Sequence, residues 1–277
     1  MNKDDPLSIF QGMTSLGREI QPAKPGRPTL SNVGRVQTKL WFQSVKVISG
    51  LSSAYAIEMK IDGDRIRARD IDIMRPRKWD QYAIAKATPH GRKGSTNAVD
   101  EAERHFPGSA IFYRSIAWQA LKGEPLTLDD IDAGLQELGP QISTLLYELV
   151  DSNCPNQKCQ KALDQSTIDS ILKFGDFFAL SALILLIAQS SVMASPLLRE
   201  LAQEGYANLL PRLRADPVVA HVLPELMLVM DSAFKHWAFL SPNRRLDIVI
   251  PSIAMLNFHD NLQTIELVAN APKSITD

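Results

Sequence analysis

The sequence predicts an all-α protein on three observations. Apolar residues recur at steps of three and four along most of the chain. Gly and Pro punctuate those stretches where helices would stop and start. No segment alternates apolar and polar residues cleanly enough to specify a secure strand. With 277 residues, 45% hydrophobic and 22% charged, the chain can build a sizeable core, as one large domain or two modest ones, and its composition excludes wholesale disorder.

Residues 1–33 are rich in Pro, Gly, Ser and Thr without a sustained period and read as a flexible tail. The first helix is predicted from Val33 to about Ser49, because Val33, Val36, Leu40, Trp41, Val45 and Ile48 form one apolar stripe that Gly50 stops. Ser52 is placed to cap a short second helix carrying Ala54, Tyr55, Ile57 and Met59, and Asp62-Gly63-Asp64 signals a turn. Ile66, Ala68, Ile71 and Ile73 alternate imperfectly with charges, which fits a short hairpin or an exposed loop. Helix resumes near Pro76 with Trp79, Tyr82 and Ala83 on its apolar edge, and Pro89-His90-Gly91 breaks it. Ser95 or Thr96 would cap a helix with Ala98, Val99, Ala102 and Phe106 inward, followed by a helix from Ile111 to Leu121 carrying Trp118.

Beyond Gly123-Glu124-Pro125 the chain reads as helix throughout. Thr127-Leu128-Asp129-Asp130 looks like a capping box, and Leu135 to Val150 follows with an interruption at Gly139-Pro140. Phe177 to Ala188 is apolar except for Ser181 but too short to span a bilayer, so it reads as a buried central helix. Pro217 to Phe239 and Leu246 to Val268, the latter bent by Pro251, complete the set. No repeat period emerges.

The net charge of −1 conceals two opposite excesses: residues 1–123 carry 20 Lys/Arg and 12 Asp/Glu, whereas residues 124–277 carry 10 and 19. The basic part is densest from Arg65 to Lys93, which suits a surface for phosphates, a solvated face, or a dock for the acidic part of the same chain. The expected division is therefore a flexible tail over 1–33, a basic unit over 34–123 and an acidic helical unit over 124–277.

Motifs for ordinary enzymology are missing. Cys154 and Cys159 have four residues between them where zinc knuckles usually show two, and no second cysteine pair exists. The five histidines, His90, His105, His221, His236 and His259, are scattered. Three Asp-x-Asp pairs (Asp62/Asp64, Asp70/Asp72 and Asp130/Asp132) have the composition of a Mg²⁺ site for nuclease chemistry, but turn and helix-start roles account for the first and last. No Gly-rich phosphate loop, nucleophile elbow or dinucleotide fingerprint is present. The sequence therefore predicts a non-enzyme without metal or organic cofactor. Two cysteines and an N-terminus without a basic-then-apolar layout predict a reducing, cytoplasmic location with no membrane association.

Residues 40–108 resemble a Cro/C1-type helix-turn-helix domain carrying an insertion, a likeness over about a quarter of the chain. Ile48-Ser49-Gly50-Leu51-Ser52-Ser53 is similar to that family's turn between its first two helices. Arg75-Pro76-Arg77-Lys78-Trp79-Asp80-Gln81-Tyr82 resembles its recognition helix, with Trp79 and Tyr82 at the two inward positions. Pro89 and the stretch Thr96 to Phe106 match the proline and fourth helix that follow. About a dozen residues, Asp62 to Ile73, stand where the family has a tight turn, Ala85 where it usually has Gly, and Ile57 where it has a small residue.

The resemblance implies a helix-turn-helix-like unit followed by an α-helical bundle. It also implies sequence-preferring binding of double-stranded DNA, as in a bacterial-type transcriptional regulator or a DNA-associated accessory factor. Groove-facing residues would be Arg77, Lys78 and Gln81, with Arg75 and Ser52 near the backbone, since Arg and Lys pair with guanine edges and Gln with adenine. Lys24-Pro25-Gly26-Arg27-Pro28 resembles the Gly-Arg-Pro core of an AT-hook, so Lys24 and Arg27 would add a minor-groove contact. The acidic part would supply a homodimer interface, partner docking or ligand sensing. The rival expectation is a non-catalytic interaction subunit whose basic part binds an acidic protein.

Overall fold

The computed structural model describes residues 30–67, 77–89, 97–149, 158–234, 239–241 and 244–245, and it is all-α apart from two small antiparallel ribbons. The first helix, α1 (Asn32–Ser49), begins where Ser31 Oγ accepts the Gly34 amide at 3.1 Å and ends at Gly50, whose φ of 68° suits glycine. Its predicted stripe divides between two apolar cores. Val33, Val36 and Leu40 face the larger, Trp41 and Val45 enter the smaller together with Phe42, which was not in the stripe, and Ile48 is exposed.

The smaller core is closed by α2 (Ala54–Arg67), α3 (Lys78–Ala83) and α4 (Ala98–His105). Three expectations change here. The cap of α2 is Ser53, whose Oγ accepts the Ala56 amide, and Ser52 is exposed. Asp62-Gly63-Asp64 is not a turn: α2 runs straight through it, and the Asp62 carboxylate is anchored by Lys78 and Trp79. The cap of α4 is Asn97, whose side chain accepts the Val99 amide at 2.8 Å. Residues 68–76, with the predicted hairpin or loop, lie outside the described residues.

The stretch read as one helix from Ile111 is two short ones, α5 (Ile111–Arg114) and α6 (Ala117–Lys122), because Ser115 turns to an extended ψ of 130°. The break lets Trp118 Nε1 donate to the Phe112 carbonyl at 2.9 Å. The capping box is present at α7 (Leu128–Glu137): Thr127 Oγ1 accepts the Asp130 amide and Asp130 accepts the Thr127 amide. Trp118 and Leu121 of α6 share the larger core with Ile131 and Leu135 of α7, so packing runs on across Gly123.

After the expected interruption at Gly139 comes α8 (Pro140–Leu146), but the helix expected to run on to Val150 ends there. Strand β1 (Tyr147–Leu149) pairs antiparallel with β2 (Lys158–Gln160), Tyr147 opposite Gln160. Tyr147 is buried and its hydroxyl donates to Asp132 Oδ1 at 2.6 Å, which fixes the chain in extended form at that point. The larger core then gathers α9 (Gln165–Leu172), α10 (Phe177–Val192) and α11 (Pro196–Leu213). As predicted, α10 is the central helix, with every residue from Ala179 to Ser190 buried. No helix among the described residues is long and apolar enough to cross a membrane.

A 3-10 turn (Ala220–Val222) leads into α12 (Leu223–Phe234), which packs on α1 and α6. Phe239, expected at the end of a helix, instead pairs with Arg245 in a ribbon of β3 (Phe239–Ser241) and β4 (Arg244–Arg245). The helix expected over Leu246 to Val268 lies outside the described residues.

Candidate nucleic-acid interface

The smaller core is built on aromatic rings. Trp41 of α1 stacks on Trp79 of α3 with centroids 5.6 Å apart, and Tyr82 and Tyr113 meet Trp41 edge-on. Trp79 and Tyr82 are thus buried, as their inward placement in the sequence required. Helix α3 is only six residues long and is bracketed by two left-handed non-glycine residues, Arg77 at φ 52° and Ala85 at φ 48°. Ala85 closes it in a Schellman pattern: the Lys86 amide donates to the Gln81 carbonyl and the Ala85 amide to that of Tyr82.

Beneath α3 lies a charged knot. Lys78 Nζ sits 2.8 Å from Asp62 Oδ2 and 3.2 Å from Glu101 Oε2, and Trp79 Nε1 donates to Asp62. Desolvation draws the Lys78 pKa down, but the hydrogen bond and charge of Asp62, with those of Glu101, outweigh it and leave the pKa raised. Lys78, expected to face a groove, therefore spends its ammonium on joining α2, α3 and α4. Burial also raises the Tyr82 hydroxyl, and pushes that of Tyr113 up to about 12.

The other predicted residues separate by place. Arg77 and Ser52 are exposed, and Gln81, on α3 beside Arg77, is half-buried. Lys24, Arg27 and Arg75 lie outside the described residues, as do Asp70, Asp72, His90, His236, His259 and Cys154.

The arrangement sorts charge by sign. Glu58, Asp62 and Glu101 are buried, Asp80 is half-buried, and Asp100 is held by Arg114. Glu103 caps the turn after α4, accepting the Gly108 amide at 2.7 Å and the Ala110 amide at 2.6 Å. Burial opposes ionisation of Glu103, but these amides and Ser109 prevail and lower its pKa. Lys60, Arg77, Lys86 and Arg104, by contrast, are exposed and form no ion pair with a described residue. Lys60 escaped the sequence reading because it precedes the densest basic run. The signal was the spacing Ile57, Ile61, which turns Glu58 and Asp62 inward and Lys60 out.

The remaining motifs have structural uses or none. Asp130 caps α7, and Asp132 accepts from Tyr147 and Gln136. Cys159 is a free exposed thiol, His105 and His221 are exposed, and no group of three metal-ligating side chains occurs among the described residues. Compared with protein-family models, curated proteins and solved structures, the chain matches none.

Proposed function

We propose that the basic lobe around the smaller core binds double-stranded DNA with a preference for sequence, as a transcriptional regulator or DNA-associated accessory factor working in the cytoplasm. The sorting of charge carries this reading. Glu58, Asp62 and Glu101 are withdrawn into the lobe while Lys60, Arg77, Lys86 and Arg104 remain in water, so the charged side chains it presents to solvent are richer in cations than its composition. Arg77 and Gln81 are the candidates for reading base edges, and Lys60 and Lys86 for phosphates. Ser52, Arg75, Lys24 and Arg27 are the further candidate contacts, and Lys78 positions α3 from beneath. The acidic part of the chain would provide the homodimer or partner surface.

The test compares variants on a panel of duplexes of different sequence by fluorescence anisotropy. Arg77→Ala should cost about 1–3 kcal/mol on the preferred duplex and flatten the differences between duplexes. Lys60→Ala and Lys86→Ala should weaken all duplexes uniformly and reduce the salt slope by about one each. A lobe made for an acidic protein would give equal, weak binding to every duplex and no change of preference at Arg77.

A further inference from the structure

We propose that the cleft between α1, α6 and α12 is a binding site for a single-chain amphipathic carboxylate, a molecule of medium-chain fatty-acid type. The cleft has a volume of about 620 Å³, within the range of small-molecule sites. Its walls are apolar: Val33 and Val36 of α1, Leu121 of α6, and Leu228 and Val229 of α12. Leu228 is 62% exposed, a large apolar side chain of the lining left uncovered.

The charge at the rim selects the head group. Arg35 and Lys122 both line the cleft, both are exposed, and neither makes an ion pair with a described residue. The one carboxylate among the described residues of the lining, Glu225, is held by Lys39 at 2.5 Å, which offsets its charge. The positive end of the 18-residue helix α1 opens on the same cleft. Ser31 satisfies the Gly34 and Arg35 amides, and helix geometry leaves those of Asn32 and Val33 without an acceptor inside α1. Two cations and a helix N-terminus in the lining of an apolar cleft match a molecule with one anionic head and one alkyl tail. The nucleic-acid reading is not needed for this site.

The experiment is isothermal titration of the full chain with decanoate, with 1-decanol as the uncharged control. Saturable decanoate binding is expected, tighter than that of decanol. In an Arg35→Ala/Lys122→Ala double variant, decanoate should weaken at least tenfold while decanol is unchanged. Both side chains are exposed, so the variant keeps the wild-type melting temperature, which circular dichroism checks. Leu228→Lys should weaken both ligands. Absence of saturable decanoate binding below about 1 mM would overturn the proposal. So would equal decanoate affinity in wild type and double variant, which would place binding elsewhere, as would an equal loss of decanoate and decanol in that variant.

Discussion

Lys78 and Arg77 are neighbours with opposite fates, and substitutions should separate them. Lys78→Met strips the ammonium from two buried carboxylates, Asp62 and Glu101, and should destabilise the protein by about 2–3 kcal/mol, read as a lower urea midpoint. Arg77→Ala removes an exposed side chain without an ion pair and should leave that midpoint within about 0.5 kcal/mol of wild type. The same lobe should be sensitive to alkali. Lys78, Tyr82 and Tyr113 all have folded pKa values above their ordinary ones. Their stabilisation is complete below pH 10 and is lost as pH rises through the folded values, which for Tyr113 means from 10 to about 12. Urea midpoints followed by tryptophan fluorescence across that range should fall, and a flat profile would contradict the burial of Tyr113. The inward turn of Trp79 and Tyr82 was legible in the sequence as apolar spacing. That of Lys78 was not, because its partners Asp62 and Glu101 are distant in sequence and look like solvent-facing charges.

Among the elements, α10 and α11 share the most extensive contact of the larger core, and Gly205 of α11 is pressed against both α9 and α10. A Cβ there would lie 2.7 Å from Ile168 Cγ2 and 3.0 Å from Leu183 Cδ2. Gly205→Ala should therefore destabilise by about 1–3 kcal/mol through overpacking, even though alanine favours helix, and thermal melting would show it. An unchanged or raised melting temperature would contradict this packing. The helices α1, α7 and α10 were legible because each has a marked cap and either a stripe or an apolar run broken only by Ser181. The ribbon of β1 and β2 was not: two three-residue strands are too short to show a period, and the Tyr147–Asp132 hydrogen bond that favours the extended chain joins residues fifteen apart. The break at Ser115 was hidden for the same reason, since a backbone ψ leaves no mark on composition.

At the scale of the whole molecule, α1 and α5 each contribute to both cores, α5 through Phe112 and Tyr113, and the larger core runs from Val36 through Trp118 to Met230. A fragment of residues 30–123 keeps the smaller core but leaves Leu40, Trp118 and Leu121 without most of their packing partners. It should melt without a cooperative transition, whereas the full chain should give one; a sharp transition in the fragment would show that the basic unit is self-sufficient. The change of charge sign at Gly123 was plain in the sequence, but the continuity of packing across it lies in contacts no composition count reveals. The basic lobe's cation-rich surface is the central claim, and the most direct measurement is an anisotropy titration of the full chain with labelled duplex DNA at about 50 and 200 mM salt, without Mg²⁺. Saturable binding at the lower salt is expected, weakening roughly 40-fold at the higher if three phosphates are neutralised. No binding at the lower salt would contradict the nucleic-acid reading.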